Sequence, residues 1–153
     1  LKDYVLEIRS LIGSRPFIIV GATVIVENEE GGVLFQFRAD TKEWGLPGGA
    51  MEPGESLLET AERELWEETG LHAERMDHIE TFSGKRFYFR YPNGDEVYNV
   101  IAVYKAFGVS GGGGGKAQGD ETLDLHYFTE LPEAIDVRAK EIMERVRGAG
   151  NGE

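Results

Sequence analysis

The chain has no cysteine, which excludes a disulfide framework, a thiol nucleophile and a zinc–thiolate centre. Its three histidines, His72, His78 and His126, match no zinc spacing and are expected to be structural. Positive charge is also scarce: 16 Lys and Arg against 28 Asp and Glu leave a net charge of −12. Duplex nucleic acid is bound mainly by neutralising phosphates with Lys and Arg, so this chain, lacking a basic stripe, is a poor candidate for that partner. A small phosphate compound remains open to it if metal ions stand between the two sets of negative charge. Long apolar runs are missing too. The longest, Phe17 to Val26, is ten residues interrupted by Gly21 and Thr23. It is too short to cross a bilayer and reads as a buried strand, so no membrane partner is expected. No basic and apolar leader opens the sequence, and with the lack of cysteine this predicts a cytoplasmic location.

At 153 residues the chain is expected to form one domain, residues 1–147, followed by a frayed tail at 148–153. Tyr4, Val5, Ile8, Leu11 and Ile12 recur with a helical period that Gly13 closes. This predicts a helix packed on the side of the domain, with a homodimer contact as the alternative. Phe17–Glu27 and Val33–Arg38 read as strands around the turn cluster 28–32, hence as a hairpin. Strands are also expected within 71–83 and over 87–91, 96–107 and 123–128, the middle pair joined by the turn Pro92-Asn93-Gly94-Asp95. A final helix should open at Glu130–Glu133 and run to about Arg147, with Ile135, Ala139, Ile142, Met143 and Val146 inward. Residues 109–120 hold five consecutive glycines. They fail the P-loop pattern because Ala117 follows Lys116, and they do not open a helix as a dinucleotide fingerprint would. They are expected to form a loop that can flap over a nearby cleft.

The densest chemistry lies between Gly48 and Leu71, where Glu52, Glu55, Glu59, Glu62, Glu64, Glu67 and Glu68 are offset only by Arg63. Ser56 and Glu59 have capping-box spacing, so a helix should start near Leu57, and Gly70 suits its left-handed end. Leu58, Ala61 and Leu65 would share the buried face. At about 100° per residue, Glu64, Glu67 and Glu68 fall on a neighbouring arc at the margin of that stripe. Like charges at these spacings repel, and holding them beside a core is costly without a cation. Glu64 and Glu68, one turn apart, can hold the same hard divalent ion, while Glu67 can hold a second ion or act as a base through water. A merely solvated acidic helix is the bland alternative.

The full pattern over these residues resembles the Nudix box, G-x5-E-x7-R-E-U-x-E-E-x-G-U, where U is a bulky aliphatic. It reads here as Gly49, Glu55, Arg63, Glu64, Leu65, Glu67, Glu68, Gly70 and Leu71, with every spacer of the family's length. The resemblance implies an α/β fold, an α/β/α sandwich with a mixed β-sheet, and a pyrophosphohydrolase that uses Mg2+ or Mn2+ to cleave a nucleoside diphosphate linked to another group. It adds the main-chain carbonyl of Gly48 as a metal ligand beside Glu64, Glu67 and Glu68, Arg63 as the residue orienting a box glutamate, and Gly49 and Glu55 as supporting residues. Family members differ over which glutamate is the base, so Glu64, Glu67 and Glu68 share that role here. Many members use a further carboxylate from a loop leading into a late strand. Glu121 is the best positional match, Asp120 is its rival, and an exposed acidic turn is the alternative to both.

Trp44 and Arg38 are candidate substrate contacts, against structural roles at the core edge. A small nucleotide is the expected partner, either a (d)NTP or a nucleoside diphosphate derivative such as ADP-ribose. The NADH-hydrolase marker S-Q-P-W-P-F-P is absent, and Arg86 and Phe87 stand where many ADP-ribose hydrolases carry a proline. Tyr88 lies near the tyrosine of some dinucleoside polyphosphate hydrolases. A catalytically silent nucleotide-sensing module is the alternative function, although such modules usually lose box glutamates and none is lost here. A calcium-binding structural protein would need an EF-hand loop, which is absent.

Overall fold

The computed structural model describes residues 3–111 and 121–150. Helix α1 spans Asp3–Ile12 and is followed by strands β1 (Phe17–Ile25), β2 (Val33–Arg38), β3 (Trp44–Gly45) and β4 (Gly48–Ala50). Next come helix α2 (Leu57–Thr69), β5 (Leu71–Phe82), a 3-10 turn at Lys85–Phe87, β6 (Tyr88–Arg90), β7 (Glu96–Gly111), β8 (Thr122–Phe128) and α3 (Val137–Gly150). Among the described residues no helix is long and apolar enough to cross a membrane.

Two sheets form. A five-stranded mixed sheet has the order β4-β1-β7-β5, with β6 pairing on β7; a three-stranded sheet has the order β3-β2-β8. β1 and β7 run parallel from Phe17 opposite Val97 to Ile25 opposite Lys105, and the other pairings are antiparallel. Alternation along the strands feeds two cores on opposite faces of the large sheet. Ala22 and Val24 join Ala61 and Leu65 of α2 on one face. Ile25, Ile101 and Val103 join Ala139, Ile142 and Met143 of α3 on the other. The α/β/α layering and the mixed sheet agree with the sequence reading.

Several expectations are corrected. β1 and β2 do not pair as a hairpin: they lie in different sheets, and among the described residues their antiparallel backbone link is confined to the turn end, the Glu27–Val33 bridge and the Leu34 N–H to Val26 carbonyl bond. β1 lies between β4 and β7, buried mainly in its second half from Gly21 to Ile25, and the 28–32 turn carries the chain across to the second sheet. α3 begins at Val137, not near Pro132, because residues 134–136 are pinned alongside β3. Trp44 N–H bonds the Ala134 carbonyl at 2.7 Å, and Asp136 N–H bonds the Trp44 carbonyl at 2.8 Å. Asp136 then caps the helix, its Oδ1 accepting from the Arg138 N–H at 2.7 Å. β7 runs on to Gly111, four residues past the expected end, and α3 continues past Arg147. The flap expected from the glycine run, and Asp120 with it, lies outside the described residues. On α1 only Val5, Ile8 and Ile12 of the expected stripe are half-buried; Tyr4 and Leu11 are exposed. Arg9 ties this helix down, donating to the carbonyls of Gly13, Arg15 and Glu96 at 2.9, 2.6 and 2.6 Å.

Candidate active site

α2 is fixed at both ends by its own sequence. Ser56 Oγ accepts from the Glu59 N–H at 3.0 Å, and Glu59 Oε1 accepts from the Ser56 N–H at 2.8 Å. Such a cap is worth about 0.5–2 kcal/mol. Gly70 closes the helix at φ 77°, with its N–H on the Trp66 carbonyl. The buried face differs from the expected one. Leu58 is 40% exposed, whereas Glu64 and Glu68 are 2% and 5% exposed. These two carboxylates therefore lie within the buried face, not at its margin, and α2 turns them toward β4 and the space between the two sheets.

Arg63 organises one side of this acidic group. Its Nε and Nη2 grip Glu55 at 2.5 and 2.9 Å, Nη1 donates to Glu64 Oε2 at 2.9 Å, and Nη2 also donates to the Ala50 carbonyl at 3.0 Å. Glu67 Oε1 stands 3.4 Å from the same Nη1. Arg63's hydrogen bonds hold the Glu55 carboxyl down at about 2, against a weaker upward push from burial. Glu55 in turn accepts from the Glu52 N–H and the Thr60 hydroxyl at 2.9 and 2.8 Å. The supporting roles given to Arg63 and Glu55 have this geometry. Gly49 is the close approach in the site: a Cβ there would collide with the Glu64 carboxylate.

Glu68 is held from the other side. Its Oε1 accepts from Gln36 Nε2 at 2.7 Å and from the Gly48 N–H at 2.9 Å. Burial first, and the neighbouring charge of Glu64 second, raise its carboxyl well above the usual range. Among the described residues no three acidic or histidine side chains converge as a ready metal cage. The donor chemistry nonetheless fits a hard divalent cation: the groups are oxygen only, and a cation would relieve the mutual repulsion of two buried, adjacent carboxylates.

These residues open into a cavity of about 660 Å3, lined at this end by Gly48, Gly49, Glu52, Glu64 and Glu68 and elsewhere by Arg38, Tyr91, Glu121 and Arg138. Arg38 thus faces the cavity, bonded to Asp40 at 3.0 and 3.1 Å. Burial opposes its charge, but Asp40 more than offsets that and keeps it protonated. Glu121 is exposed on the cavity wall, its carbonyl accepting from the Ala39 N–H at 2.9 Å. Trp44 does not border the cavity. Its ring packs on Phe37 and Phe128 at 5.1 and 4.8 Å between centroids, the core-edge packing that is the alternative to a substrate contact. Sequence reasoning missed Gln36, a polar residue inside the apolar run VLFQFR, and Thr122, next to Glu121. The interruption of that run was the available signal.

Comparison with known proteins agrees with this geometry. The family model for the NUDIX domain matches residues 18–146. A Bacillus subtilis protein described as "Putative 8-oxo-dGTP diphosphatase" is 37% identical over 109 residues, 71% of this chain and 65% of that protein. An RNA pyrophosphohydrolase of Psychrobacter cryohalolentis is 39% identical over 54 residues, 35% of this chain and 31% of its own. The chain thus spans less than two thirds of either relative. The crystal structure of a MutT NUDIX hydrolase from Burkholderia pseudomallei superposes with a TM-score of 0.70 at 26% identity, covering 86% of this chain and 98% of that one. With the box complete and its residues assembled on α2 and β4, the chain belongs to the Nudix hydrolase family.

Proposed function

We propose that this protein is a metal-dependent pyrophosphohydrolase that cleaves the phosphoanhydride of a nucleoside diphosphate linked to another group, a (d)NTP or a derivative such as ADP-ribose. The observation that carries the reading is the pair of buried carboxylates, Glu64 and Glu68, opening into a cavity with an arginine on its wall. Glu64, Glu67, Glu68 and the Gly48 carbonyl are the groups that would hold Mg2+ or Mn2+. When bound, such a cation neutralises phosphate oxygens and lowers the pKa of water. The chain's own residues do the rest. Arg63 fixes Glu64 and Glu55, so that the carboxylate is oriented before substrate arrives. One of the three box glutamates takes the proton from the attacking water at a carboxylate oxygen; Glu67 is the most solvent-accessible, its side chain 26% exposed. Arg38 is positioned to meet phosphate or ribose oxygens, and Glu121 to assist from the facing wall.

The names of the relatives, an 8-oxo-dGTP diphosphatase and an RNA pyrophosphohydrolase, support the reaction class. The test is a nucleotide panel incubated with Mg2+, Mn2+ or EDTA, with products resolved. Metal-dependent release of a nucleoside monophosphate is the expected result. Nucleotide binding without turnover in any metal would instead make the protein a sensing module.

A further inference from the structure

Glu68 belongs to α2, yet one of the two groups that orient it comes from the three-stranded sheet. Gln36 on β2 is 1% exposed and Thr122 on β8 is 9% exposed. Thr122 Oγ1 donates to Gln36 Oε1 at 2.5 Å, and Gln36 Nε2 donates to Glu68 Oε1 at 2.7 Å. The chain Thr122–Gln36–Glu68 is buried from end to end and has one polarity. Turning the Gln36 amide over would set its oxygen against Glu68 Oε1, which already accepts from the Gly48 N–H, so that acceptor selects the orientation seen. The Thr122 hydroxyl holds it by occupying the amide oxygen.

A carboxamide in the middle of a strand costs stability unless both its ends are bonded, and here both are. The bond to Glu68 would become charge-assisted once a bound cation keeps that carboxyl ionised. Together with the Gly48 N–H, it places two donors on one carboxylate oxygen. That fixes the carboxyl plane and commits Oε1, so the carboxylate cannot trade its two oxygens by rotation. Thr122 follows Glu121 directly, and Ala39 N–H holds the Glu121 carbonyl at 2.9 Å. The end of the β2–β8 pairing therefore holds both the main chain of Glu121, a residue that lines the cavity, and the amide that meets the ligand on α2.

We infer that Gln36 and Thr122 are positioning residues for the divalent cation: Gln36 presets the Glu68 carboxylate, and Thr122 acts only by holding the Gln36 amide. The inference rests on the metal-dependent reading above. Groups that hydrogen-bond a metal ligand in this way are typically worth about 10–100-fold in metal affinity. Replacing Gln36 by methionine keeps the length and removes both polar ends. Thr122→Val removes the hydroxyl at nearly constant shape, and Thr122→Ser restores it.

The experiment is titration of the full chain with Mn2+, free ion read by electron paramagnetic resonance, alongside thermal melts in EDTA. Gln36→Met should weaken Mn2+ binding at least about tenfold. Thr122→Val should weaken it less, and Thr122→Ser should bind like wild type. Because Thr122 acts through Gln36, the double variant should match Gln36→Met alone within about twofold, the limit for independent sites. Losses that multiply in the double variant would overturn the relay, as would Mn2+ affinity in Gln36→Met within twofold of wild type. If Gln36→Met fails to melt cooperatively in EDTA, equal affinities in wild type, Thr122→Val and Thr122→Ser would overturn it. A wild-type chain that does not bind Mn2+ would overturn the metal-dependent reading itself, and the relay with it.

Discussion

Replacing Gly49 by alanine should damage both the site and the fold. The new Cβ would lie 2.5 Å from Glu64 Cδ and 2.9 Å from its Oε1. Neither partner yields easily. Gly49 is held on β4 opposite Ala22, while Glu64 is buried and its Oε2 is gripped by Arg63 at 2.9 Å. If the surroundings absorb the clash, overpacking costs about 1–3 kcal/mol, or roughly 2–12 °C in Tm for a chain of this length. If the carboxylate swings away, the Arg63 contact breaks, and a displacement of about 1 Å at a reacting centre costs on the order of a hundredfold in turnover. Thermal melts and nucleotide hydrolysis on the same preparation measure both. Gly31→Ala is the control: its φ is 85° and nothing lies within 4 Å of the added Cβ. It should lose stability through backbone strain alone and keep full turnover. Wild-type turnover in Gly49→Ala would refute the reasoning, because the Glu64 carboxylate could not then need the place it occupies.

Glu68→Gln should raise the metal-free Tm, since the cost of burying a titrating carboxyl beside Glu64 is removed, and should lose most of the stabilisation by Mg2+. In wild type that gain is about 2.7 kcal/mol at a hundred times Kd, or roughly 5–11 °C, and NaCl should not reproduce it; melts in EDTA, NaCl and MgCl2 measure this. The folded carboxyl of Glu55 sits at about 2, below its unfolded value of about 4.3. Its contribution is therefore complete above the unfolded value and is lost as pH falls through about 2. Glu55→Gln should flatten the acid limb of urea midpoints measured between about pH 5 and pH 2. Glu121→Gln should reduce kcat less than any change at Glu64 or Glu68, as expected of an exposed group on the facing wall; kinetics matching wild type, with Asp120→Asn severely impaired, would transfer the role to Asp120.

What the sequence made legible was local. The Ser56–Glu59 box and Gly70 fix the ends of α2 through contacts within a few residues, and box spacing alone brings Glu55, Arg63 and Glu64 to one place. What it hid depends on partners far along the chain. β1 and β2 are joined by a good turn, but each residue of β1 pairs with one of β7 eighty residues along the chain, as Phe17 with Val97, and nothing near the turn encodes that choice. Pro132 suits a helix start, yet backbone bonds to Trp44 hold residues 134–136 extended. The role of Leu58 was misjudged because helical period gives a face without saying which part of it is covered: Leu58 is exposed, while the Glu64 and Glu68 carboxylates are buried. Gln36 was invisible for the same reason: its partners are Glu68 and Thr122, 32 and 86 residues away.

The central claim is that the buried Glu64–Glu68 pair is the hydrolytic centre. The most direct test is the steady-state rate of nucleoside monophosphate release at saturating Mg2+ by wild type and by Glu64→Gln, with folding of both verified by melts. Glu64→Gln keeps the shape and one oxygen for Arg63 but loses the charge. The account predicts a fall in kcat of at least about a hundredfold with a cooperative melt retained. Turnover near the wild-type rate in the folded variant would contradict it.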